Sequence, residues 1–427
     1  MGSNGSFFHR KFVMSPWRLG GSIFLLDIDC FFASVEMALR PELIGKPLCI
    51  GGHKGDRGIV ACPNYEARAY GVKTAMPLRT AERLLPSDAV FLPGNHRLYG
   101  QYSERVMSIL HDFTPDIEQV SIDEAYMDVT GCLHLWNRDP LRMAAAMKER
   151  IRRECGLMVS IGIASNKVCA KIAASLRKPD GLVSVPHGQE KEFLAPLPIE
   201  MVPGIGVKTT PKLHALGIRT VADVLNPKSV IRNPPSCMRW LGHYLTAVAN
   251  GRDEQVMHYD RVEKSISRDT TFDHDTYDAG LITSTLYYLT ERCCKTLRKR
   301  QQVASTVTTK VRFADFMTFQ KQTTVATPSS HEEDIFVATR HLLGLLLPPH
   351  RLIRLVGVKV SNLSPADRVQ LRLDRKMERI ERLHQRIDAL QAKYGYQTVQ
   401  WGITFALQKR FELDEEGYRL HSPVYGL

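Results

Sequence analysis

The chain is short of long apolar runs, of cysteines spaced as pairs, and of acidic residues. Among its 427 residues the longest strongly apolar stretches are residues 23–26 and 342–347. Both fall far below the roughly 18 residues needed to span a bilayer. Pro16, Trp17 and Arg18 interrupt the N-terminus before an apolar signal-peptide core can form, so a cytoplasmic location without a membrane partner is expected. The nine cysteines include no CxxC, the adjacent Cys293 and Cys294 cannot easily bridge, and the count is odd. They read as reduced thiols rather than as a disulfide frame or a zinc site. No glycine-rich turn of the Rossmann or P-loop type follows a strand-like segment, which argues against a dinucleotide or P-loop enzyme. Acids are outnumbered: Lys plus Arg is 57 and Asp plus Glu is 45, a formal charge of +12 with a pI near 9.2. A protein that basic points to a polyanionic partner, either nucleic acid or an acidic membrane surface, and the charge alone does not choose between them.

What is present is ordinary globular material, 44% hydrophobic and 24% charged, with length for about three domains. Residues 1–20 read as an unstructured leader. Residues 22–29 (SIFLLDID) form a buried strand pattern that ends in acid, and residues 31–39 continue as a helix. Helical patterns at 99–113 and 141–154 interleave with strand patterns at 125–129 and 159–163, giving a mixed core of helices and strands. A break near 186–188 opens a helical segment reaching about residue 251. In residues 303–313 apolar and polar positions alternate, which predicts a half-buried strand whose wet face carries Lys310 and Arg312. Residues 291–321 hold eight basic and two acidic side chains, half of the whole surplus. Ile380, Leu383, Ile387 and Leu390 follow the spacing of an amphipathic helix.

Four constellations carry chemistry. Asp27 and Asp29 flank Ile28 at a strand end, and residues i and i+2 share a face. Such a pair is either a solvated strand terminus or, with the Ile28 carbonyl, a seat for a hard cation such as Mg²⁺. Asp123 and Glu124, in SIDEAY, can converge only at a turn or bulge. Three gathered carboxylates could hold two metals about 4 Å apart for phosphoryl transfer. Tyr65 and Arg68, three apart in NYEAR, would share a helix face and could meet phosphates, with Lys167, Lys171 and Lys178 adding charge. A solvated basic face is the alternative. Finally, the turn around Gly204 and Gly206 in VPGIG could offer backbone N–H groups to a nucleic-acid phosphate, or could simply pack two helices.

The segments LDIDCFFASVE, NYEARAYGVKTAMP, SIDEAYMDVTG, GIASNKVCAKIAASLRKPDG and VPGIGVKT occur in the order found in Y-family DNA polymerases. The chain resembles most the bacterial DNA polymerase IV class, over about residues 23–363. The resemblance implies an α+β, multidomain right-hand polymerase with a ferredoxin-like palm, small fingers, a helix-hairpin-helix thumb and a β-rich little finger. Its boundaries would be palm 21–33 and 86–186, fingers 34–85, thumb 187–256, little finger 257–363 and tail 364–427. Asp27, Asp123, Glu124 and the Ile28 carbonyl would hold two Mg²⁺, with Glu124, Asp123 and Asp27 catalytic. A deoxynucleoside triphosphate would meet Phe31, Phe32, Tyr65, Arg68 and Lys178, with Phe32 as the steric gate against ribose. Primer-template DNA would be gripped by Gly204, Gly206, Lys310 and Arg312, and a monomer is expected.

A fingers insertion of only about fifty residues checks base-pair shape weakly, and no second carboxylate cluster marks a proofreading nuclease. Error-prone translesion synthesis is the expected activity. Cys62 and Pro63 depart from the family's small hydroxyl residue and Ala, leaving one phosphate contact without its usual hydroxyl. At 370–374, QLRLD stands where relatives carry a sliding-clamp peptide QLxLF, with Asp374 replacing the aromatic. A weakened clamp peptide and a solvated lead-in to the following helix are both open readings. Residues 401–427 suggest no role. Two rivals are weaker: a catalytically dead adaptor has no use for three clustered acids, and a nucleotidyl cyclase needs no duplex grip.

Overall fold

The structure is a computed structural model, described for residues 22–226, 239–253, 256–258, 263–347, 351–368, 375–408, 410, 411 and 413. The leader and the 370–374 segment lie outside the described residues. The chain divides into two compact units, Met1–Arg261 and Val262–Leu427.

In the first unit the elements run β1 (Ile23–Ile28), α1 (Phe31–Leu39), β2 (Leu48–Ile50), β3 (Cys62–Pro63), α2 (Tyr65–Ala69), α3 (Leu78–Leu84), β4 (Val90–Leu92), α4 (His96–His111), β5 (Ile117–Gln119), β6 (Glu124–Asp128), α5 (Pro140–Cys155), β7 (Val159–Ala164), α6 (Lys167–Leu176), β8 (Leu182–Ser184), α7 (Glu190–Leu194), α8 (Thr210–Ala215) and α9 (Arg239–Ala249). Five strands form one sheet in the order β5-β6-β1-β7-β8, with β1 antiparallel to both β6 and β7. A central strand is covered on both faces, which is why its sequence reads as a continuous apolar run. Side chains alternate across it. Phe24, Leu26 and Ile28 enter a core with Tyr99, Leu110, Met143 and Met147 from α4 and α5. Ile23 and Leu25 enter a second core with Ala170 and Ala173 of α6 and with Leu213 and Leu245. By the same parity Asp27 falls on the α6 side of the sheet.

Gly162 of β7 sits opposite Leu25 on that side. A Cβ there would lie 2.0 Å from the Ala170 carbonyl oxygen and 2.4 Å from the Ala174 nitrogen. Only glycine lets α6 lie this close to the sheet. A smaller three-stranded sheet, β3-β2-β4, takes its last strand from Val90–Leu92, beyond residue 85 where the sequence reading ends the insertion.

The second unit runs β9 (Ser265–Thr276), α10 (Ala279–Lys299), β10 (Gln302–Phe313), β11 (Thr318–Ser329), α11 (Glu332–Gly344), β12 (Ile353–Pro365), α12 (Arg375–Tyr394) and α13 (Phe405–Gln408). Its sheet has the order β11-β10-β12-β9. The alternation expected of 303–313 holds over 309–313 but not before: Ala304, Thr306 and Thr308 are buried like their apolar neighbours. β10 is an inner strand, so small residues there are shielded by β11 and β12 on either side. The α12 helix forms where its periodicity predicts, yet among its described side chains the buried ones are His384 and Gln391, while Leu383 and Leu390 are 50% and 43% exposed. The packed face is polar because it meets a charged seam. Arg298 bonds Asp388 at 2.7 and 3.1 Å and Glu332 at 2.9 and 3.0 Å, and Lys295 donates to Gln391 at 2.8 Å. Beyond α12, Tyr396 and Leu407 are buried in the unit's core and Tyr396 donates to Glu291 at 2.7 Å. The segment that the sequence reading set apart as a tail is therefore, where described, part of this unit.

Gly162→Ala is expected to cost about 3 kcal/mol, because the clash is with helix backbone that cannot rotate away. Urea unfolding would show this as a lower midpoint with an unchanged slope.

Candidate active site

β1 ends in acid at the point where the sheet opens. Register places Asp27 directly opposite Glu124 on β6, and the Ile28 N–H donates to the Asp123 carbonyl at 2.9 Å. Asp123 is the last residue before β6, in the turn that the sequence demanded for adjacent acids to converge. Its carboxylate lies 2.5 Å from the Ser121 hydroxyl, which donates to it. Burial pushes the Asp27 carboxyl up to about 6. Lys178 opposes that rise through its charge and a hydrogen bond, whereas Asp123 and Glu124 add to it.

The three lysines of the 167–178 segment divide in a way the sequence did not reveal. Lys178 pairs with Asp27, and Lys171 grips Glu124 with contacts of 2.5 and 2.8 Å. Lys167 points elsewhere: it is buried against Glu118 at 2.7 Å and lies over the Tyr126 ring. It is thus not offered to a phosphate. Drawn onto Lys178, Lys171 and Ser121, the oxygens of Asp27, Asp123 and Glu124 do not all lie within 4.8 Å of one another. Among the described residues, the one His/Cys/Asp/Glu group that compact is Glu332, Glu333 and His384 in the second unit. There Glu332 already holds Arg298, and the two ring nitrogens of His384 face different carboxylates, at 3.2 and 3.3 Å.

Asp29 is buried, and its carboxylate is fully engaged. It accepts from the Ser160 hydroxyl at 2.9 and 3.0 Å, from the Asp180 N–H at 2.8 Å and from the Tyr65 hydroxyl at 3.3 Å. It fixes the turn rather than facing outward with Asp27. The donor set that remains, three carboxylates and strand-end backbone carbonyls, is all oxygen and suits a hard divalent cation.

Phe32 lies on α1, one face stacked on Tyr99 with ring centroids 4.4 Å apart and the His96 ring edge-on at 5.5 Å. Tyr99 is itself anchored by donating to Glu36 at 2.8 Å. Phe32 is half-buried, so its other side remains accessible. Phe31 is only 3% exposed, which leaves its backbone rather than its ring to meet a ligand. No sequence pattern signalled Tyr99 or Glu36, since both look like ordinary helix residues.

Tyr65 opens α2 behind the buried Asn64, whose side chain accepts from the Ala67 N–H at 3.0 Å. The Arg68 guanidinium lies 5.4 Å from the Tyr65 ring centroid and donates to the Pro63 carbonyl at 3.1 Å. Cys30 and Cys62 are both buried in the core cluster that Tyr65 packs against. The neighbouring Cys30 and the charge of Arg68 pull the Cys62 thiol below its ordinary value against the effect of burial.

Gly204 adopts a φ of 88°, and the Gly206 carbonyl accepts from Thr209 and Thr210 to start α8. On the other unit, Lys310 pairs with Asp269 and Arg312 donates to Thr318 at 2.8 Å. Gly357 lies between Lys310 and Asp269 in the sheet register, and a Cβ there would sit 1.8 Å from the Asp269 oxygen. The glycine lets two side chains meet across an intervening strand.

Because its folded carboxyl titrates above the ordinary 3.8, Asp27 favours folding most while protonated. Its contribution is fully present below about pH 4, is lost between about pH 4 and 6, and stays lost above that range. Asp27→Asn should therefore match wild type near pH 4 and gain about 1–2 kcal/mol by pH 7. Chelator-treated protein unfolded in urea across that range checks it.

Three family models match the chain: the impB/mucB/samB family at residues 26–175, its helix-hairpin-helix motif at 187–218 and its C-terminal domain at 263–373. A DNA polymerase IV of Dehalococcoides mccartyi is 42% identical over 90% of this chain and 98% of its own length. A DNA polymerase IV of Desulfatibacillum aliphaticivorans is 36% identical over 88% and 94%. A solved Y-family DNA polymerase chimera of Dbh and Dpo4 superposes with a TM-score of 0.73 at 29% identity, covering 81% of this chain and 99% of that one. An insertion ternary complex of Dbh DNA polymerase gives 0.58 at 28%, with the same coverage. With the α+β fold, the helix-hairpin-helix segment and the β-rich C-terminal unit, these likenesses place the chain in the Y-family of translesion DNA polymerases, in its DNA polymerase IV group.

Proposed function

We propose that the acid-ended strand β1, with β6, is the reaction centre of the polymerase, and that Asp27, Asp123, Glu124 and the Ile28 carbonyl hold two Mg²⁺ ions. The observation that carries this reading is the register pairing of Asp27 with Glu124, beside Asp123, at an open sheet end furnished with lysines. Bound there, the ions would supply charge stabilisation to the attacking and leaving oxygens of a phosphoryl transfer. The chain's own residues do the rest. Lys178 and Lys171 keep positive charge beside the acids and are placed to turn toward a triphosphate. Arg68, oriented by the Pro63 carbonyl and the Tyr65 ring, forks onto a phosphate oxygen. Phe32, held flat by Tyr99, closes the space a ribose 2′-hydroxyl would need.

The proposed assignment makes the five-stranded sheet the palm, the β3-β2-β4 subdomain the fingers, the segment around Gly204 and Gly206 the thumb, and the second unit the little finger. In that unit Lys310 is partly neutralised by Asp269, so Arg312 is the stronger phosphate contact of the two. The clamp-like 370–374 segment lies outside the described residues, and a weak clamp contact there stays part of the proposal. Among the described residues no helix is long and apolar enough to cross a membrane.

Primer extension with Mg²⁺ tests the centre. Asp123→Asn and Glu124→Gln should each slow incorporation by roughly a thousandfold or more, and extension at the wild-type rate by both would remove the metal assignment. Phe32→Ala should raise ribonucleotide use, read as the ratio of ribonucleotide to deoxyribonucleotide incorporation. Arg312→Ala should weaken duplex binding and flatten the plot of log affinity against log salt by about one unit.

A further inference from the structure

We infer that His384, Glu333 and His331 form a binding site for a divalent transition cation of the Zn²⁺ class, and that the ion fastens α12 to the start of α11. Glu332, Glu333 and His384 each offer a ligand atom, and these atoms lie within 4.8 Å of one another. Two elements supply them: Glu332 and Glu333 open α11, and His384 lies on α12. The side chains of Glu332 and His384 are each 1% exposed, so the centre is enclosed. Glu333 is 48% exposed and marks the side from which an ion enters. A solvated acidic cluster looks different, since its carboxylates face water and no imidazole is buried among them.

The distances separate the roles. His384 Nε2 lies 3.3 Å from a Glu333 oxygen. A charge-assisted hydrogen bond is shorter, at about 2.8 Å. Two ligands bonded at about 2.0–2.1 Å to a tetrahedral Zn²⁺ stand about 3.3 Å apart. The other ring nitrogen, Nδ1, faces a Glu332 oxygen at 3.2 Å, and Arg298 holds Glu332 at 2.9 and 3.0 Å. Glu332 therefore orients the imidazole: it keeps the Nδ1 hydrogen and leaves the Nε2 lone pair for the ion, the carboxylate–histidine–metal order common in zinc sites. The third donor is His331. Its ring stacks on His384 with centroids 5.3 Å apart, and its Nδ1 is buried without a hydrogen-bond partner. Two imidazoles on one tetrahedral ion have centroids about 5 Å apart, so the ring is placed to bring that nitrogen to the ion. Water fills the fourth position.

Charge also favours a cation here. The first turn of α11 carries Glu332, Glu333 and Asp334, and Asp388 of α12 shares Arg298 with Glu332. Against these four carboxylates stand Arg298, Lys295 and a partial charge of about half a unit at the α11 N-terminus, so the balance stays negative. Two imidazoles with one carboxylate suit Zn²⁺ better than Mg²⁺, which prefers oxygen ligands throughout. The Trp401 ring, 6.0 Å from that of His384, helps to cover the site. The site shares no residue with Asp27, Asp123 and Glu124, so it stands whether or not those acids hold Mg²⁺. An ion that joins His331 and Glu333 to His384 adds metal–ligand bonds to the polar seam on which α12 docks.

The test is to titrate reduced, chelator-treated full-length protein with Zn²⁺ in excess Mg²⁺, in competition with a chromophoric chelator. One Zn²⁺ per chain should bind with a Kd below about 1 µM. X-ray absorption at the zinc edge should show nitrogen and oxygen at about 2.0–2.1 Å with imidazole scattering, and no sulfur at about 2.3 Å. Glu333→Gln, a change at a half-exposed side chain, should weaken binding about a hundredfold. His331→Phe keeps the stacked ring and should weaken it at least tenfold. Asp123→Asn should bind Zn²⁺ as wild type does. Bound Zn²⁺ should slow proteolytic cleavage within α12 in wild type but not in Glu333→Gln. Failure of wild type to retain Zn²⁺ against Mg²⁺, sulfur in the coordination shell, or wild-type affinity in either ligand variant overturns the proposal. So does tight binding that leaves cleavage within α12 unchanged.

Discussion

Three carboxylates gathered at one sheet end repel one another, and the fold must supply opposing charge without filling the site. It does so by laying α6 against β7 over the bare Cα of Gly162. That approach brings Lys171 to Glu124 and sets the turn after α6 where Lys178 meets Asp27. A buried acid left without such partners would neutralise itself or unfold the strand end. The lysines hold the acids in place while remaining exchangeable, because each lysine keeps solvent contact: Lys171 is 42% exposed and Lys178 25%.

Much of this was legible from residue order alone. The apolar run ending in Asp27 read as a buried strand, but the shared face expected of Asp27 and Asp29 fails because β1 ends at Ile28 and Asp29 turns into hydrogen bonds with Ser160 and Asp180. The helices around 99–113 and 141–154, and the turn at Asp123, followed from spacing. The division of labour among Lys167, Lys171 and Lys178 did not. It depends on which face of α6 meets the sheet, and that is decided by Gly162 and the small residues Ala170, Ala173 and Ala174. Tyr99 escaped notice for a related reason: stacking on Phe32 is a contact between distant helices, with no local periodicity to announce it.

The second unit shows where hydrophobic patterning misleads. Ile380, Leu383, Ile387 and Leu390 define an apolar stripe, yet the helix packs through His384, Asp388 and Gln391. The reason lies on its partners, where Arg298 and Lys295 on α10 and the buried Glu332 on α11 present charge to it. A leucine laid over them would strand buried charge, whereas polar side chains satisfy it. Charge matching outweighed apolar burial at this seam. The inner-strand threonines of β10 make a similar point, since a residue's neighbours across the sheet decide its burial as much as its own polarity.

That seam bears on where the second unit ends. The family C-terminal domain match stops at residue 373, before α12 begins. Burial continues past it: His384, Tyr396 and Leu407 are all enclosed, and Asp388 and Gln391 complete the hydrogen bonding of Arg298 and Lys295. A chain cut at residue 373 would keep every strand of the sheet and still leave Arg298 and Lys295 without their α12 partners. The compact unit, defined by satisfied charge, runs past the end of that domain match, and the additional length closes over its helical side.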